Sequence, residues 1–152
     1  MDISNEYLAG LWDGEGTIGF WANTQQPTRR MTVFASIEMS KRELIAAVAD
    51  RFGGGVYHRQ PRQAEHAGGY IWRATGHRAL RLLAAIGPSL ILKRPQYEMV
   101  LPWRELVRPS VTPLLDDVQI GWMQAMSSLN RRGPQGDIIE APPFRSQQMG
   151  LL

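Results

Sequence analysis

The segment from residue 4 to residue 16 constrains the fold of this chain most strongly, because it predicts a helix with glycines, and hence no side chains, along part of one face. Ser4 is a predicted N-cap, apolar residues follow at helical spacing, and Gly14 and Gly16 are predicted to end the helix. Gly10 and Gly14 are four residues apart and share a helical face, on which a second helix could approach closely. The segment occurs once in the sequence. A pair of such helices in close contact would therefore require two chains.

Beyond this segment, short strands alternate with helices. The apolar and polar residues alternate from 31 to 39, as is typical of a half-buried strand, and residues 40–43 have the pattern of a capping box. The order α-β-β-α-β-β-α-α-α indicates an α+β fold whose antiparallel sheet turns a polar face outward. Strands are predicted over residues 17–22, 31–39, 56–60 and 70–75, and the later helices over 40–52, 76–86, 95–107 with a kink at Pro102, and 112–129.

The composition limits the classes of function. The chain has 152 residues, 43% of them apolar, which suffices for one domain with a sizeable core, and residues 131–152 are predicted to form a mobile tail. The absence of cysteine excludes a disulfide framework, a Cys-ligated zinc site and a thiol nucleophile. No apolar run approaches the roughly 20 residues that span a bilayer, and no fingerprint of a small-molecule phosphate site is present. We therefore expect a soluble intracellular protein, cytoplasmic or in an organelle matrix.

The net charge of +3 is distributed unevenly along the chain. Residues 1–28 carry four acidic and no basic residues, whereas residues 29–94 carry twelve basic and four acidic residues. Fifteen of the seventeen basic residues are arginine, whose forked side chain suits phosphates and guanine edges. The concentrated basic segment indicates a face that binds a polyanion, with a merely solvated surface as the alternative.

The string Leu8-Ala9-Gly10-Leu11-Trp12-Asp13-Gly14-Glu15-Gly16 resembles the LAGLIDADG motif of homing endonucleases. Residues 53–57 are similar to the glycine-rich turn of that family, residues 90–96 to its lysine-containing segment, and residues 122–130 to its C-terminal helix. The resemblance covers about residues 5–130 and implies a LAGLIDADG domain over residues 1–130. It also implies an αββαββα core with extra C-terminal helices, in which a four-stranded antiparallel sheet forms a DNA-binding saddle. Members with one motif are homodimers, which implies a dimer interface that includes Leu8, Gly10, Leu11 and Gly14.

Glu15 is the first candidate catalytic residue and the candidate metal ligand, because it matches the last acid of the motif. Two such carboxylates from two chains would repel each other unless a cation joined them, and oxygen ligands suit Mg²⁺, for which other divalent cations can substitute. The family more often has Asp at this position. Asp13 is expected to be a structural or interface acid. The resemblance implies that Lys93 stabilises charge at the scissile phosphate or orders water, and that Lys41 adds positive charge beside it.

The outward residues of the predicted sheet are the candidate DNA readers, because a major groove admits a two-stranded ribbon. About 10 residues of strand cover roughly 10 base pairs, so two chains would cover on the order of 20 base pairs. An alternative register of the third strand would turn Tyr57 and Arg59 outward instead, and Arg29, Arg62 and Arg94 are expected at phosphates. The candidate readers are Trp21, Asn23, Gln25, Arg29, Arg30, Thr32, Phe34, Ser36, Glu38, His58, Gln60, Ile71 and Arg73.

The resemblance implies a site-specific homing endonuclease that acts on double-stranded DNA. Such an enzyme makes a double-strand break in a long, nearly palindromic target by metal-dependent phosphodiester hydrolysis. The alternative is a cleavage-deficient protein of the same fold that acts as an RNA-splicing maturase or as a DNA-binding regulator. The presence of both Glu15 and Lys93 argues against complete loss of cleavage.

Overall fold

The computed structural model describes residues 1–22, 31–61, 63, 68–106, 116–131 and 137–143, and of residues 104–106 the backbone alone. The predicted order of helices and strands is confirmed, and two short 3-10 helices, Gly87–Ser89 and Leu101–Leu106, are added. No helix in these ranges is long and apolar enough to cross a membrane. The elements are α1 (Asn5–Glu15), β1 (Gly16–Ala22), β2 (Met31–Met39), α2 (Arg42–Phe52), β3 (Gly55–Arg59), β4 (Gly69–Thr75), α3 (Gly76–Ile86), α4 (Arg94–Val100) and α5 (Asp117–Leu129).

The four strands form one antiparallel sheet in the order β1-β2-β4-β3. The register pairs Gly16 with Ile37, Glu38 with Ile71 and Gly69 with Arg59, so these ends of the four strands lie together where α1 runs into β1. Side chains alternate between the faces, and the residues of β2 are alternately buried and half-buried. The helices cover one face of the sheet, so the half-buried strand that the alternation predicts is confirmed.

Two tryptophans anchor α1 and α2 to the covered face of the sheet. The Trp12 and Trp72 rings are fully buried and meet edge to face, with their centroids 5.5 Å apart. The Trp72 indole N–H donates to the Gly53 carbonyl at 2.8 Å. Gly53 and Gly54 have positive φ angles of 74° and 97°, and a Cβ at Gly54 would lie 2.9 Å from the Trp72 indole nitrogen. Glycine is therefore needed where α2 turns into β3, both for the backbone conformation and for the space.

The ends of three helices differ from the sequence prediction. The Ser4 hydroxyl caps α1 as expected, but Gly14 lies inside this helix and Gly16 alone follows its end. The capping box at residues 40–43 is wrong, because extended Lys41 is the N-cap of α2 and its side chain makes no capping bond. The last helix begins at Asp117, because extended Asp116 is its N-cap and the Asp116 carboxylate accepts from the Gln119 N–H at 2.8 Å; the predicted start at Thr112 lies outside the described residues.

The C-terminal half supports the sheet from its covered face. The Phe20, Trp103 and Trp122 rings pack edge to face, with centroids 5.3 to 6.5 Å apart. As predicted, α4 has Pro95 in its first turn and gives way to a tighter 3-10 helix where Pro102 lacks an N–H. Within the predicted tail, the backbone of residues 137–143 lies along α5, where the Ile139 N–H donates to the Ser128 hydroxyl at 3.1 Å. Apart from Arg131, the remainder of that tail lies outside the described residues, so its mobility stays a prediction.

Candidate nucleic-acid interface and catalytic centre

One face of the sheet carries polar, aromatic and basic side chains that no helix of the described chain covers. The register shows which residues belong to this face, because directly paired residues point to the same side of a sheet. Ser36 pairs with Arg73, and Tyr57 pairs with Ile71. Trp21 and Tyr57 on this face are 50% and 57% exposed, against 0% for Trp72 on the other face. We call it the outer sheet face and define it by Thr17, Trp21, Thr32, Phe34, Ser36, Glu38, Tyr57, Arg59, Ile71, Arg73 and Thr75.

The third strand adopts the alternative register, in which Tyr57 and Arg59 rather than His58 and Gln60 face outward. His58 pairs with Tyr70 and their rings lie 5.1 Å apart, so His58 points away from the outer sheet face. Gln60 lies beyond the end of β3, and its amide nitrogen is 3.3 Å from the His58 Nδ1. The choice of His58 and Gln60 as outward residues is therefore wrong, and Tyr57 and Arg59 take their places. A solvent-exposed edge strand lacks the apolar alternation that would have fixed its register.

The other residues expected to contact DNA fall into three groups. Arg94 begins α4 and its guanidinium donates to the Pro88 carbonyl at 2.9 Å, away from the outer sheet face. Those on the outer sheet face are Trp21, Thr32, Phe34, Ser36, Glu38, Ile71 and Arg73. Those outside the described residues are Asn23, Gln25, Arg29, Arg30 and Arg62, whose roles stay predictions.

Glycines that the sequence did not single out shape the outer sheet face. Gly19 lies opposite Phe34, and a Cβ there would be 2.5 Å from the Phe34 ring. Gly69 is buried in β4, and a Cβ there would be 2.5 Å from the Glu38 carboxylate. Each glycine thus leaves room for a side chain from the neighbouring strand β2 to lie across the strand that contains the glycine. Only the cross-strand register reveals this, because neither glycine adjoins its partner in the sequence.

A polar groove of about 500 Å³ opens at the end of the sheet next to α1. It is lined by Glu15 and Thr17 from the junction of α1 and β1, and by Glu38, Arg59 and Arg73 from the other strands. Glu38 and Arg59 form an ion pair in it, with a nitrogen–oxygen distance of 2.6 Å. The groove therefore brings the candidate catalytic acid together with candidate readers from three strands.

The Glu15 side chain is exposed at the last residue of α1, and the chain continues from it directly into β1. Gly16 makes this sharp passage possible, because a Cβ there would overlap the buried Trp12 indole. Glu15 stands at the negative end of the helix dipole, which favours a cation as its neighbour. Within the described residues no three His, Cys, Asp or Glu side chains come together to hold a metal ion. The described part of one chain therefore offers fewer than three such ligands at this place, with Glu15 at the end of α1 and Glu38 in the same groove.

Asp13 ties the lysine-containing segment to the last turn of α1. Its two carboxylate oxygens accept from the Ile91 N–H at 2.8 Å and from the Lys93 N–H at 2.9 Å, and the Lys93 ammonium donates to the Asp13 carbonyl at 2.8 Å. Burial raises the pKa of the Asp13 carboxyl. The backbone N–H groups of Ile91, Lys93 and Leu92 and the Lys93 charge together outweigh burial and hold this pKa below its ordinary value. Asp13 is thus a structural acid that carries Lys93 to the helix end where Glu15 stands.

Lys41 is not brought to this end of α1 by the described contacts. Its side chain is exposed at the start of α2 and lines a separate, apolar groove with Ile3, Tyr7 and Leu44. That groove does not include Glu15. The catalytic role predicted for Lys41 therefore has no support from its contacts within one chain.

The exposed face of α1 carries the two glycines of the motif. Gly10 and Gly14 are both exposed, and a Cβ at either would meet nothing within 4 Å. Nothing within the described chain therefore requires glycine there, although each costs a helix about 1 kcal/mol relative to alanine. Leu11 is half-buried beside them. Leu8 is 1% exposed and packs in the core, so its assignment to an interface is wrong: it lies two residues from Gly10 and hence nearly opposite it.

No family model and no curated protein matches the sequence. Solved structures that match the fold include the homing endonuclease I-CvuI in complex with the I-CreI target, which is 16% identical, with 89% of this chain and 87% of that chain covered and a TM-score of 0.62. The archaeal intron-encoded homing endonuclease I-Vdi141I complexed with DNA is also 16% identical, over 88% of this chain and 89% of its own, at a TM-score of 0.58. The LAGLIDADG meganuclease I-AabMI bound to uncleaved DNA is 19% identical, over 84% of this chain but 45% of its own, at a TM-score of 0.59.

Proposed function

We propose that this chain, whose fold is that of the LAGLIDADG homing endonucleases, is one half of a homodimeric DNA endonuclease. Two observations carry the proposal: exposed Glu15 at the end of α1 lines the polar groove of the outer sheet face, and the Lys93 ammonium is bonded to the Asp13 carbonyl in the last turn of the same helix. A carboxylate and a lysine beside a broad face for double-stranded DNA suit phosphodiester hydrolysis. The similarity to homing endonucleases solved with DNA supports the same class of substrate.

The outer sheet face has the chemistry and the size to bind DNA. The nine residues of β2 span about 30 Å, which corresponds to roughly nine base pairs along a groove. Arg59 and Arg73 supply positive charge there, and exposed Trp21 and Tyr57 supply flat apolar surface. Each chain would thus bind one half-site, and two chains would bind a long, nearly palindromic target.

The exposed glycine face of α1 supports pairing of two chains. With no side chain at Gly10 or Gly14, two α1 helices can approach closely around a two-fold axis, with Leu11 at the edge of the contact. The coverage of known structures supports the same view, because this chain corresponds to 87% of I-CvuI but to 45% of I-AabMI. A unit of this length therefore corresponds to about half of the longer meganuclease chain.

A divalent cation, Mg²⁺ in the first place, fits the paired arrangement rather than the single chain. One exposed Glu15 is too few ligands for Mg²⁺, but two such carboxylates and DNA phosphate oxygens form an all-oxygen donor set. When bound, the ion activates water and stabilises the leaving oxygen. Lys93, held by Asp13, places a positive charge beside the phosphate. I-CvuI complexes were crystallised with Mg or Ca, which agrees with a divalent ion here.

The exchange Glu15→Gln tests the proposal, because it keeps the size of the side chain and removes its charge. The wild-type protein is first used with Mg²⁺ to select cleaved targets from a randomised duplex library. Glu15→Gln is expected to lower the cleavage rate of the selected target by about 100-fold or more, while dimerisation and DNA binding persist. Glu6→Gln, an exposed acid in the first turn of the same helix, is the matched control. Undiminished cleavage by Glu15→Gln, or binding without any cleavage by the wild type, would contradict the proposal.

A further inference from the structure

An ion pair on the outer sheet face joins two strands that are not neighbours. Glu38 belongs to β2 and Arg59 to β3, and β4 lies between these strands. On β4, Ile71 lies opposite Glu38 and Gly69 lies opposite Arg59. The pair therefore spans the width of β4 above Gly69, at the end of the sheet where Glu15 stands.

Gly69 provides the space for this pair. A Cβ at Gly69 would lie 2.5 Å from a Glu38 carboxylate oxygen, 3.2 Å from its Cγ and 3.3 Å from its Cδ. The φ angle of Gly69 is not positive, so its backbone conformation alone does not require glycine. The missing side chain thus serves the Glu38 position rather than the turn.

Stability does not account for the pair. Its side chains are 55% exposed for Arg59 and 37% for Glu38, and ion pairs so open to water contribute little to folding. Glu38 is moreover the only acid among the described residues that define the outer sheet face. A carboxylate on a face that binds a polyanion weakens binding unless it accepts a hydrogen bond from the ligand.

We propose that Glu38 and Arg59 act together to read one G·C base pair in each half-site, an inference that rests on the proposed function. A G·C pair presents the guanine O6 and N7 acceptors and the cytosine N4 amino donor in the major groove. Arg59 has five donors, enough for a guanine and for Glu38 together, and the Glu38 carboxylate has lone pairs left to accept from cytosine N4. Because the pair borders the groove that contains Glu15, the base pair lies in the inner part of the half-site, near the cleaved phosphate.

Three single variants test this inference by the base preference that each retains. The readout is sequencing of randomised duplexes bound by the full chain, position by position. The wild type is expected to select G·C at one symmetric pair of inner positions. Arg59→Gln and Glu38→Gln are each expected to reduce that preference by about tenfold or more and to leave the other positions unchanged. Arg78→Gln on α3, which removes an equal charge away from the outer sheet face, is expected to change no position.

Gly69→Ala gives the sharpest variant, because it keeps both charges and moves one of them. The new Cβ displaces the Glu38 carboxylate from its present place, so the same G·C preference should fall as in Glu38→Gln. The displaced group is the flexible end of an exposed side chain, and thermal melting is expected to show each variant folded. Any variant that fails to fold leaves the decision to the other two.

Two outcomes would overturn the inference while leaving the proposed function intact. One is an unchanged G·C preference in Arg59→Gln and Gly69→Ala, which would make the pair irrelevant to reading. The other is equal weakening of all sequences by Arg59→Gln together with a smaller salt dependence, which would mark Arg59 as a phosphate contact. If the wild type bound no duplex DNA, the proposed function itself would be wrong.

Discussion

At the scale of single residues, Asp13 links the two candidate catalytic positions. Its carboxylate accepts from two backbone N–H groups of the segment that carries Lys93, and its own carbonyl accepts from the Lys93 ammonium. Asp13 thus acts as a clamp that holds the Lys93 segment against α1 within one chain, without contacts from a second protomer. Its neighbour Glu15, two residues on, points into the polar groove instead.

Asp13→Asn should loosen this clamp. An amide offers one oxygen and no charge, so at least one backbone N–H loses its acceptor, and we expect a loss of about 1 to 3 kcal/mol in the free energy of unfolding. Because the backbone of the segment that carries Lys93 is then held less firmly, the cleavage rate should fall more than the DNA affinity. Urea unfolding and single-turnover cleavage measure the two effects. Asp50→Asn, an exposed acid on α2, is the control, and equal effects of both exchanges would refute the clamp.

The lowered pKa of the Asp13 carboxyl also predicts a dependence of stability on pH. A carboxyl whose pKa is lower in the folded chain than in the unfolded chain stabilises the fold above its unfolded pKa of about 3.9. This contribution is lost as the pH falls through the folded pKa. Urea midpoints measured downward from pH 6 should therefore decrease below about pH 4, and less steeply in Asp13→Asn. Parallel curves for the two proteins would contradict the assignment.

At the scale of elements, α1 has two opposite faces with different tasks. Leu8 and Trp12 pack into the core, whereas Gly10 and Gly14 leave the exposed face open. A glycine inside an exposed helix weakens it, so a protein without a partner at this face would gain stability from larger residues there. In the proposed homodimer, their presence is explained by the α1 helix of a second chain, which packs closely against this face.

Gly14→Leu should separate pairing from folding. A Cβ at this exposed position meets nothing within 4 Å in the described chain, so the free energy of unfolding of the monomer should stay unchanged or rise by up to about 1 kcal/mol. Dimerisation measured by sedimentation, and cleavage with it, should be lost. Gly16→Ala gives the reverse case, because its Cβ overlaps the Trp12 indole and should destabilise the fold. A Gly14→Leu protein that still dimerises and cleaves would exclude this helix from the interface.

The strands β2 and β3 differ in how well the sequence predicts which of their side chains are buried. The pattern of β2 predicts both its bounds and its buried face, because nine alternating residues leave one choice of side. The exposed strand β3 lacks such a pattern, so the sequence predicts the wrong face, with His58 and Gln60 outward in place of Tyr57 and Arg59. Side chains that meet across strands, such as Glu38 and Arg59 above Gly69, depend on the register and could not be predicted.

At the scale of the whole molecule, the charge divides along the chain as the candidate function requires. The first 28 residues have four acids and no base, and they include Glu15 where a cation would bind. Residues 29–94 include twelve bases and contribute three of the four strands. Salt should therefore weaken DNA binding strongly, with a logarithmic slope of about 0.9 for each phosphate contact. Fluorescence anisotropy titrations at salt concentrations from about 50 to about 200 mM measure this slope. A DNA affinity that did not depend on the salt concentration would contradict an electrostatic interface.

In the proposed function, one chain supplies half of an active site and two chains supply a whole one. The most direct measurement is end sequencing of a randomised duplex library cleaved by the wild-type protein with Mg²⁺. We expect double-strand breaks at the centre of a nearly palindromic sequence of on the order of 20 base pairs, with both strands cut at symmetric positions. Nicks on one strand at sites without two-fold symmetry, or no cleavage at all, would contradict it.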